Sequence, residues 1–247
     1  MGMLDEAIDV ADEMKQSGLL RDCSSYNKVM ACYVRNGQLR GCGELFHEMI
    51  SQKILPDTGT FNVLFTALKK GGIPIEAVTQ LESSYQEGKP YARQAVIIVV
   101  FSLVGLHAYA LEYCDAFTKA EIPLESFAYN AAIYAYGSSG LIDKALNIFM
   151  KMKDEGLEPD IVTNINLVGC YAKAGMFEGV KRIYSQLKYG EIEPNESLFK
   201  AVIDAYRIAN KQDLVELVNQ EMKFAFEGQD YSDSEVEGES EDIVLDL

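Results

Sequence analysis

The sequence predicts an all-α protein, a right-handed α-solenoid of stacked helix-turn-helix pairs that repeat every 35 residues. Three observations lead to this prediction: glycine recurs at a fixed interval, apolar residues recur at fixed distances from it, and each interval carries two amphipathic helical patterns. The 247 residues are 48% hydrophobic, so the chain has enough apolar material for a continuous core. Neither helix of such a pair buries its apolar stripe alone, which is why neighbouring pairs must stack.

Glycine marks the period, with successive intervals of 35, 35, 33, 35 and 35 residues. The members are Gly2, Gly37, Gly72, Gly105, Gly140 and Gly175. Four positions earlier stands an aromatic residue or Leu: Tyr33, Leu68, Phe101, Tyr136 and Tyr171, with Tyr206 ahead of Asn210. The columns agree on a two-residue deletion between Glu87 and Pro90, so the period does not depend on glycine alone.

Each interval predicts two helices and a turn. In residues 129–138, Ile133 and Tyr136 share one side of a first helix. Gly140 then supplies the left-handed residue that ends this helix, and a second helix is predicted over 141–155. Pro159 ends the second helix, and Asp160 or Thr163 is expected to cap the next one.

This punctuation divides the chain into an array and a tail. Residues 1–22 are predicted to be the second half of a truncated repeat, and Met1 falls where a first helix should just have ended, so we expect the C-terminal part of a longer array. Six repeats follow, at 23–57, 58–90, 91–125, 126–160, 161–195 and 196–226. Residues 227–247 hold nine acidic residues and no Lys or Arg, which predicts a disordered tail.

Composition argues against several classes of function. The longest apolar run, 95–101, has seven residues, whereas a membrane helix needs about 20. Five cysteines without a C-x-x-C pair do not predict a disulfide framework or a metal site. His47 and His107, the two histidines, stand in no catalytic motif. We therefore expect no cofactor, no metal and no enzymatic activity.

The motif that carries the repeat is clearest in residues 126–160. It reads FAYNAAIYAY from Phe127, GLIDKALNIFMKM from Gly140 and GLEPD from Gly156. This pattern resembles the pentatricopeptide repeat, and the resemblance covers roughly residues 1–224. It implies a land-plant protein of the chloroplast or mitochondrion that binds single-stranded RNA with one base per repeat. Neither DNA nor a membrane is an expected partner, and we expect no catalytic extension after the last repeat.

The resemblance also implies which residues read the bases. In the family, a polar residue on the first helix and the last residue of the repeat contact the base edge. Carried over, these are Asn27 with Asp57 in the first repeat and Asn130 with Asp160 in the fourth, the combination that favours uracil. Asn62 occupies the reading position of the second repeat.

Further residues are implied to contact other parts of the RNA. Phe127 and Val162 are expected to sandwich the base of the fourth repeat. Basic residues just before the central glycine occupy positions that line the phosphate path in the family: Arg35, Lys70 and Lys173.

The remaining repeats depart from the reading pattern, which leaves a second hypothesis open. Ala95, Ile165 and Lys200 stand at the reading positions of the third, fifth and sixth repeats. Residues 1–226 also carry a net charge of −7, whereas nucleic-acid affinity depends largely on neutralised phosphates. The alternative to an RNA-binding module is a protein-interaction scaffold that captures protein partners and binds no RNA itself.

Overall fold

The computed structural model describes residues 9–10, 12–118 and 122–227. From residue 23 onward these residues form twelve helices in six consecutive pairs. The pairs are α1 (Cys23–Arg35) with α2 (Leu39–Ser51), α3 (Thr58–Lys70) with α4 (Ile75–Gln86), α5 (Ala92–Leu103) with α6 (His107–Thr118), α7 (Ser126–Ser138) with α8 (Ile142–Asp154), α9 (Ile161–Lys173) with α10 (Phe177–Lys188), and α11 (Glu196–Ile208) with α12 (Gln212–Glu227).

Two sequence predictions concern the ends of the chain. Before α1, residues 12–16 are helical. Residues 1–8 and 11 of the predicted half repeat lie outside the described residues. The predicted acidic tail also lies outside them from residue 228 onward.

In every pair except the last, a periodic glycine follows the first helix and ends it by adopting a left-handed conformation. The φ angles lie between +69° and +79° at Gly37, Gly72, Gly105, Gly140 and Gly175, and Asn210 takes the same role at φ 54°. After α7, the Gly140 N–H donates to Gly137 O and the Leu141 N–H donates to Tyr136 O. These two hydrogen bonds form a Schellman motif, which confirms the sequence-based prediction for Gly140.

The six first helices pack against one another in chain order: α1, α3, α5, α7, α9 and α11. Fully buried side chains such as Leu64, Ile98 and Ile133 fill the space between them. Each first helix also contacts its own second helix. The prediction of an all-α helical-repeat solenoid is confirmed.

The second helix of the second repeat, α4, departs from this arrangement. The second helices of the neighbouring repeats, α2 and α6, contact each other directly: the rings of His47 and Tyr109 stack with centroids 3.7 Å apart. Phe46 of α2 also lies 5.7 Å from Phe101 of α5. Helix α4 instead reaches α7 and α9, two and three repeats away from its own first helix.

The backbone at the start of α4 explains its different direction. In three other repeats the residue before the second helix has φ between −82° and −89° and ψ between 59° and 62°, at Gln38, Leu141 and Met176. Helix α4 follows Pro74, with φ −51° and ψ 140°, and begins one residue later relative to its glycine. Proline fixes φ and favours extended geometry in the residue before it, so the chain enters α4 along another path.

The connection after α4 is also unusual. Tyr91, which precedes α5, has φ +64°, a left-handed conformation that is unfavourable for a bulky residue. It follows the two-residue deletion between Glu87 and Pro90. Both ends of α4 therefore depart from the repeat pattern.

Close packing of α7 on α9 depends on the absence of a side chain at Gly137. A Cβ built there would lie 2.4 Å from the buried Cys170 Sγ. We expect Gly137→Ala to lower the free energy of unfolding by about 1–3 kcal/mol, because an overpacked core must shift. The measurement is urea denaturation followed by circular dichroism.

Gly169 provides the matched control on the facing helix. No atom lies within 4 Å of a Cβ built at Gly169. Gly169→Ala should therefore raise the free energy of unfolding by about 0.5–1 kcal/mol through helix propensity. Equal effects of the two substitutions would contradict the packing described here.

Candidate nucleic-acid interface

The first repeat brings Asn27 and Asp57 together through a third residue, Thr60. The Asn27 Nδ2 donates to Asp57 Oδ1 at 2.9 Å, and the Thr60 hydroxyl donates to Asn27 Oδ1 at 2.7 Å. Asp57 is the N-cap of α3 and accepts from the Thr60 N–H at 2.8 Å. The helix cap thus fixes the acid, and the acid and the hydroxyl together fix the orientation of the amide.

The fourth repeat builds the same constellation from Asn130, Asp160 and Thr163. The Asn130 Nδ2 lies 3.0 and 3.1 Å from the two carboxylate oxygens of Asp160. The Thr163 hydroxyl donates to Asn130 Oδ1 at 2.7 Å, and Asp160 caps α9 by accepting from the Thr163 N–H at 2.8 Å. We call each set of Asn, Asp and Thr a polar triad.

Hydrogen bonds keep the acid of the first triad ionised. The backbone N–H of Thr60 and then the amide of Asn27 lower the pKa of Asp57 to about 2, although burial acts in the opposite direction. Because this pKa lies below that of an unfolded aspartate, about 3.9, the contribution to stability is present above that value. It is lost as the pH falls towards 2.

The two triads differ in their exposure. Asn27 is half-buried and Asp57 is exposed. The Asn27 Nδ2 also donates to the Cys23 Sγ at 3.5 Å, and sulfur is a weak acceptor. Asn130 is only 3% exposed. The first triad is therefore open to a ligand and the fourth is covered.

Gln80 of α4 covers the fourth triad. Its Nε2 donates to Asp160 Oδ2 at 2.6 Å, and its Oε1 accepts from Asn130 Nδ2 at 3.0 Å. One turn earlier on α4, Glu76 Oε1 accepts from Asn195 Nδ2 at 2.7 Å. Asn195 is the N-cap of α11 and the last residue of the fifth repeat. Helix α4 thus contacts the closing residues of two successive repeats.

Phe127 and Val162, predicted to sandwich a base, lie at the same place. Both are buried, and both line a cavity with Gln80 and Asn130. The cavity measures about 20 Å³, roughly the space of one water molecule. With α4 in this position, no room remains there for a nucleobase.

The other predicted residues lie on the first helices, mostly without an acid beside them. Asn62 is exposed and lines a groove of about 240 Å³ with Arg35. Among the residues that the structure describes, no carboxylate is hydrogen-bonded to Asn62, in line with Pro90 as the last residue of the second repeat. Lys70 Nζ donates to the backbone oxygen of Arg35 at 2.9 Å, so these two basic residues are adjacent. Lys173 is exposed at the end of α9.

Three residues at the triads were not among the predicted site residues. Thr60 and Thr163 stand three residues after Asp57 and Asp160, and this spacing is that of a capping box. That signal was available in the sequence. Gln80 gave no such signal, because its partners lie 50 and 80 residues away along the chain.

Reactive thiols, metal-binding clusters and membrane-spanning helices would indicate functions other than RNA binding. All five cysteines are free thiols, and burial raises the pKa of Cys42 and of Cys114 to about 12. Within the described ranges, His, Cys, Asp and Glu form no cluster of three that could hold a metal ion. The helices of those ranges include none with the length and apolar character of a membrane span.

Family models match much of the chain. A model described as the PPR repeat family matches residues 21–70 and 125–165, and one described as the PPR repeat matches residues 1–19 and 166–190. Residues 71–124, which hold α4, α5 and α6, lie between the two stretches that the first of these models matches.

Curated relatives come from Arabidopsis thaliana. Pentatricopeptide repeat-containing protein At1g73710 is 60% identical over 230 residues, which is 93% of this chain and 23% of the relative. The chloroplastic protein At3g22150 is 24% identical over 74% of this chain and 22% of its own length. Small ribosomal subunit protein mL103 is 23% identical over 81% of this chain and 50% of its own length. The chain thus spans about a quarter of the first two relatives and half of the third.

A solved structure shares the fold. The pentatricopeptide repeat protein PPR10, in complex with an 18-nt psaJ RNA element, superposes with a TM-score of 0.57 at 23% sequence identity. The match covers 89% of this chain and 32% of PPR10.

Proposed function

Because this chain belongs to the pentatricopeptide repeat family, we propose that it is a module that binds single-stranded RNA with one base per repeat, and that its Asn/Asp repeats favour uracil. The observation that carries the proposal is the recurrence of one triad at equivalent positions of the first and fourth repeats. An amide held by an acid on one side and a hydroxyl on the other has a fixed orientation. It can therefore select a base edge through its remaining hydrogen-bonding capacity.

Basic residues at the ends of two neighbouring first helices support contact with a nucleic-acid backbone. Arg35 and Lys70 lie together at the ends of α1 and α3, beside the groove that Asn62 lines. Phosphate contacts supply affinity without sequence information. Since basic residues that neutralise phosphates release counterions, binding is expected to weaken as salt is added.

The wider role proposed for the chain is in organellar RNA processing, through RNA splicing, stability, editing or translation. Chloroplast or mitochondrion is the proposed compartment, in line with a chloroplastic relative and a relative of the small ribosomal subunit. Binding rather than catalysis is proposed, since no side chains described above form a nucleophile with a base or a metal centre.

The test is a fluorescence-anisotropy titration with oligo-U, oligo-A and duplex RNA at two salt concentrations. We expect oligo-U to bind best and its affinity to fall with salt. Asn27→Ala should weaken oligo-U binding by about 2- to 10-fold, the effect of one lost hydrogen bond at an exposed site.

The control is Asn147→Ala, which removes an exposed amide from the second helix α8. It should leave oligo-U affinity unchanged. A flat titration with all three RNAs would contradict the proposed function and favour the protein-interaction scaffold instead.

A further inference from the structure

Helix α4 covers the closing residues of the fourth and fifth repeats, Asp160 and Asn195, where the family pattern predicts contact with RNA. The Gln80 carboxamide donates one hydrogen bond to Asp160 and accepts one from Asn130. Uracil carries the same chemistry on its edge, because its N3–H and C4=O form an amide with a donor and an acceptor on adjacent atoms. The fourth triad thus already holds an amide.

The contacts around Gln80 extend this likeness beyond two hydrogen bonds. The cavity at this site is lined by Gln80 from α4 and by Phe127 and Val162 from the two flanking first helices. These two side chains are the ones predicted to enclose a base. The open first triad offers a contrast within the same chain, because Asp57 is exposed and Asn27 is half-buried.

A second contact holds α4 one turn away. Asn195 donates to Glu76 Oε1 at 2.7 Å. Burial raises the pKa of Glu76, but the hydrogen bonds of its carboxylate, first that of Asn195, outweigh burial and lower the pKa, so the ionised carboxylate is stabilised here. The polar contacts of Gln80 and Glu76 are ones that another ligand could replace, while the buried Val78 and Leu81 add apolar contacts to the same helix.

The structure around α4 permits such a replacement. The helix has left the layer of second helices, in which α2 and α6 contact each other without it. Its movement therefore need not separate the first helices that form the continuous row. The backbone at both of its ends, Pro74 and Tyr91, already departs from the repeat geometry.

We propose that α4 is an internal competitor for RNA, with Gln80 as the mimic of a uracil at the fourth triad, so that RNA engages the fourth and fifth repeats only when α4 is displaced. This inference rests on the proposed RNA-binding function and concerns its regulation. Apparent affinity is reduced by the fraction of molecules in which a site is closed. Variants that weaken the α4 contact therefore raise affinity for RNA.

The experiment uses the whole chain and an oligo-U long enough to cover six repeats. Gln80→Ala is expected to raise oligo-U affinity by about 10- to 100-fold, the scale set by a lost hydrogen bond to a charged group. Gln86→Ala, an exposed glutamine on the same helix, is the matched control and should change nothing. The double variant Gln80→Ala with Asn130→Ala should lose the gain in oligo-U affinity, because Asn130 is the residue proposed to bind the base in the opened site.

Hydrogen–deuterium exchange gives a readout that does not depend on affinity. Oligo-U should speed amide exchange in α4 of the unsubstituted chain, and Gln80→Ala should do so without RNA. Gln80→Glu, which places a second carboxylate against Asp160, should act in the same direction.

The outcomes separate the two proposals. If oligo-U binds and Asn27→Ala weakens it, but Gln80→Ala changes neither affinity nor α4 exchange, the competitor is overturned and the RNA-binding function stands. If no RNA binds to any variant, both proposals are overturned.

Discussion

Replacing Phe101 with Ala is expected to lower the free energy of unfolding by about 3–5 kcal/mol, the usual cost of removing a large aromatic side chain from a core. Phe101 is fully buried and lies where α2, α5 and α6 meet. Its ring lies 5.7 Å from Phe46 and 5.9 Å from Tyr109, measured between centroids. These ring contacts lie where α2 and α6 meet in the absence of α4. Removing the Phe101 ring would leave a cavity there, between Phe46 and Tyr109.

The measurement is urea denaturation of the variant, with Phe224→Ala as the matched control. Phe224 is 86% exposed on α12, so the same substitution there should leave the free energy of unfolding nearly unchanged. Similar losses at the two positions would show that α2 and α6 do not pack around Phe101 as described.

Much of this architecture follows from local sequence signals. The periodic glycine predicted a left-handed helix end, and Gly140 adopts it. The Pro-Asp steps predicted helix starts, and Asp57 and Asp160 cap α3 and α9. These features depend on neighbours a few residues apart, for which backbone geometry and side-chain capping are sufficient reasons.

The pairing of Asn with Asp is a longer-range feature that the family pattern implied. Asn27 and Asp57 are 30 residues apart, as are Asn130 and Asp160, and the structure brings both pairs into hydrogen-bond contact. One repeat is nearly this long, so stacked repeats return the two residues to the same place. Whether these pairs read bases stays a prediction.

The position of α4 could not be predicted in the same way. Gln80 and Glu76 are polar residues on a short amphipathic helix, and this pattern is that of a solvated helix face. Their partners come from later repeats, up to 119 residues along the chain. The deletion between Glu87 and Pro90 indicated an irregular repeat, but only tertiary packing determines where its second helix lies.

Asp160→Ala is expected to destabilise the protein more than Asp57→Ala, although the two residues cap their helices in the same way. Loss of a helix cap costs about 1 kcal/mol, and at the exposed Asp57 little is added, because the half-buried Asn27 amide that loses its acceptor can bind water instead. At Asp160 the substitution also removes the acceptor of the Gln80 amide and one of the two acceptor residues of the buried Asn130 amide. The expected loss there is about 2–4 kcal/mol.

A double-mutant cycle between Gln80 and Asp160 isolates the contribution of α4. If Gln80 donates to the Asp160 carboxylate in solution, Asp160→Ala should cost about 1.5–3 kcal/mol less in a Gln80→Ala background, the worth of a hydrogen bond to a charged group. Asp57→Ala should cost the same in either background, because Gln80 does not contact the first triad. A coupling of zero between Gln80 and Asp160 would mean that α4 does not close the fourth triad. The two triads, alike in residues and in capping geometry, would then be equally open to RNA.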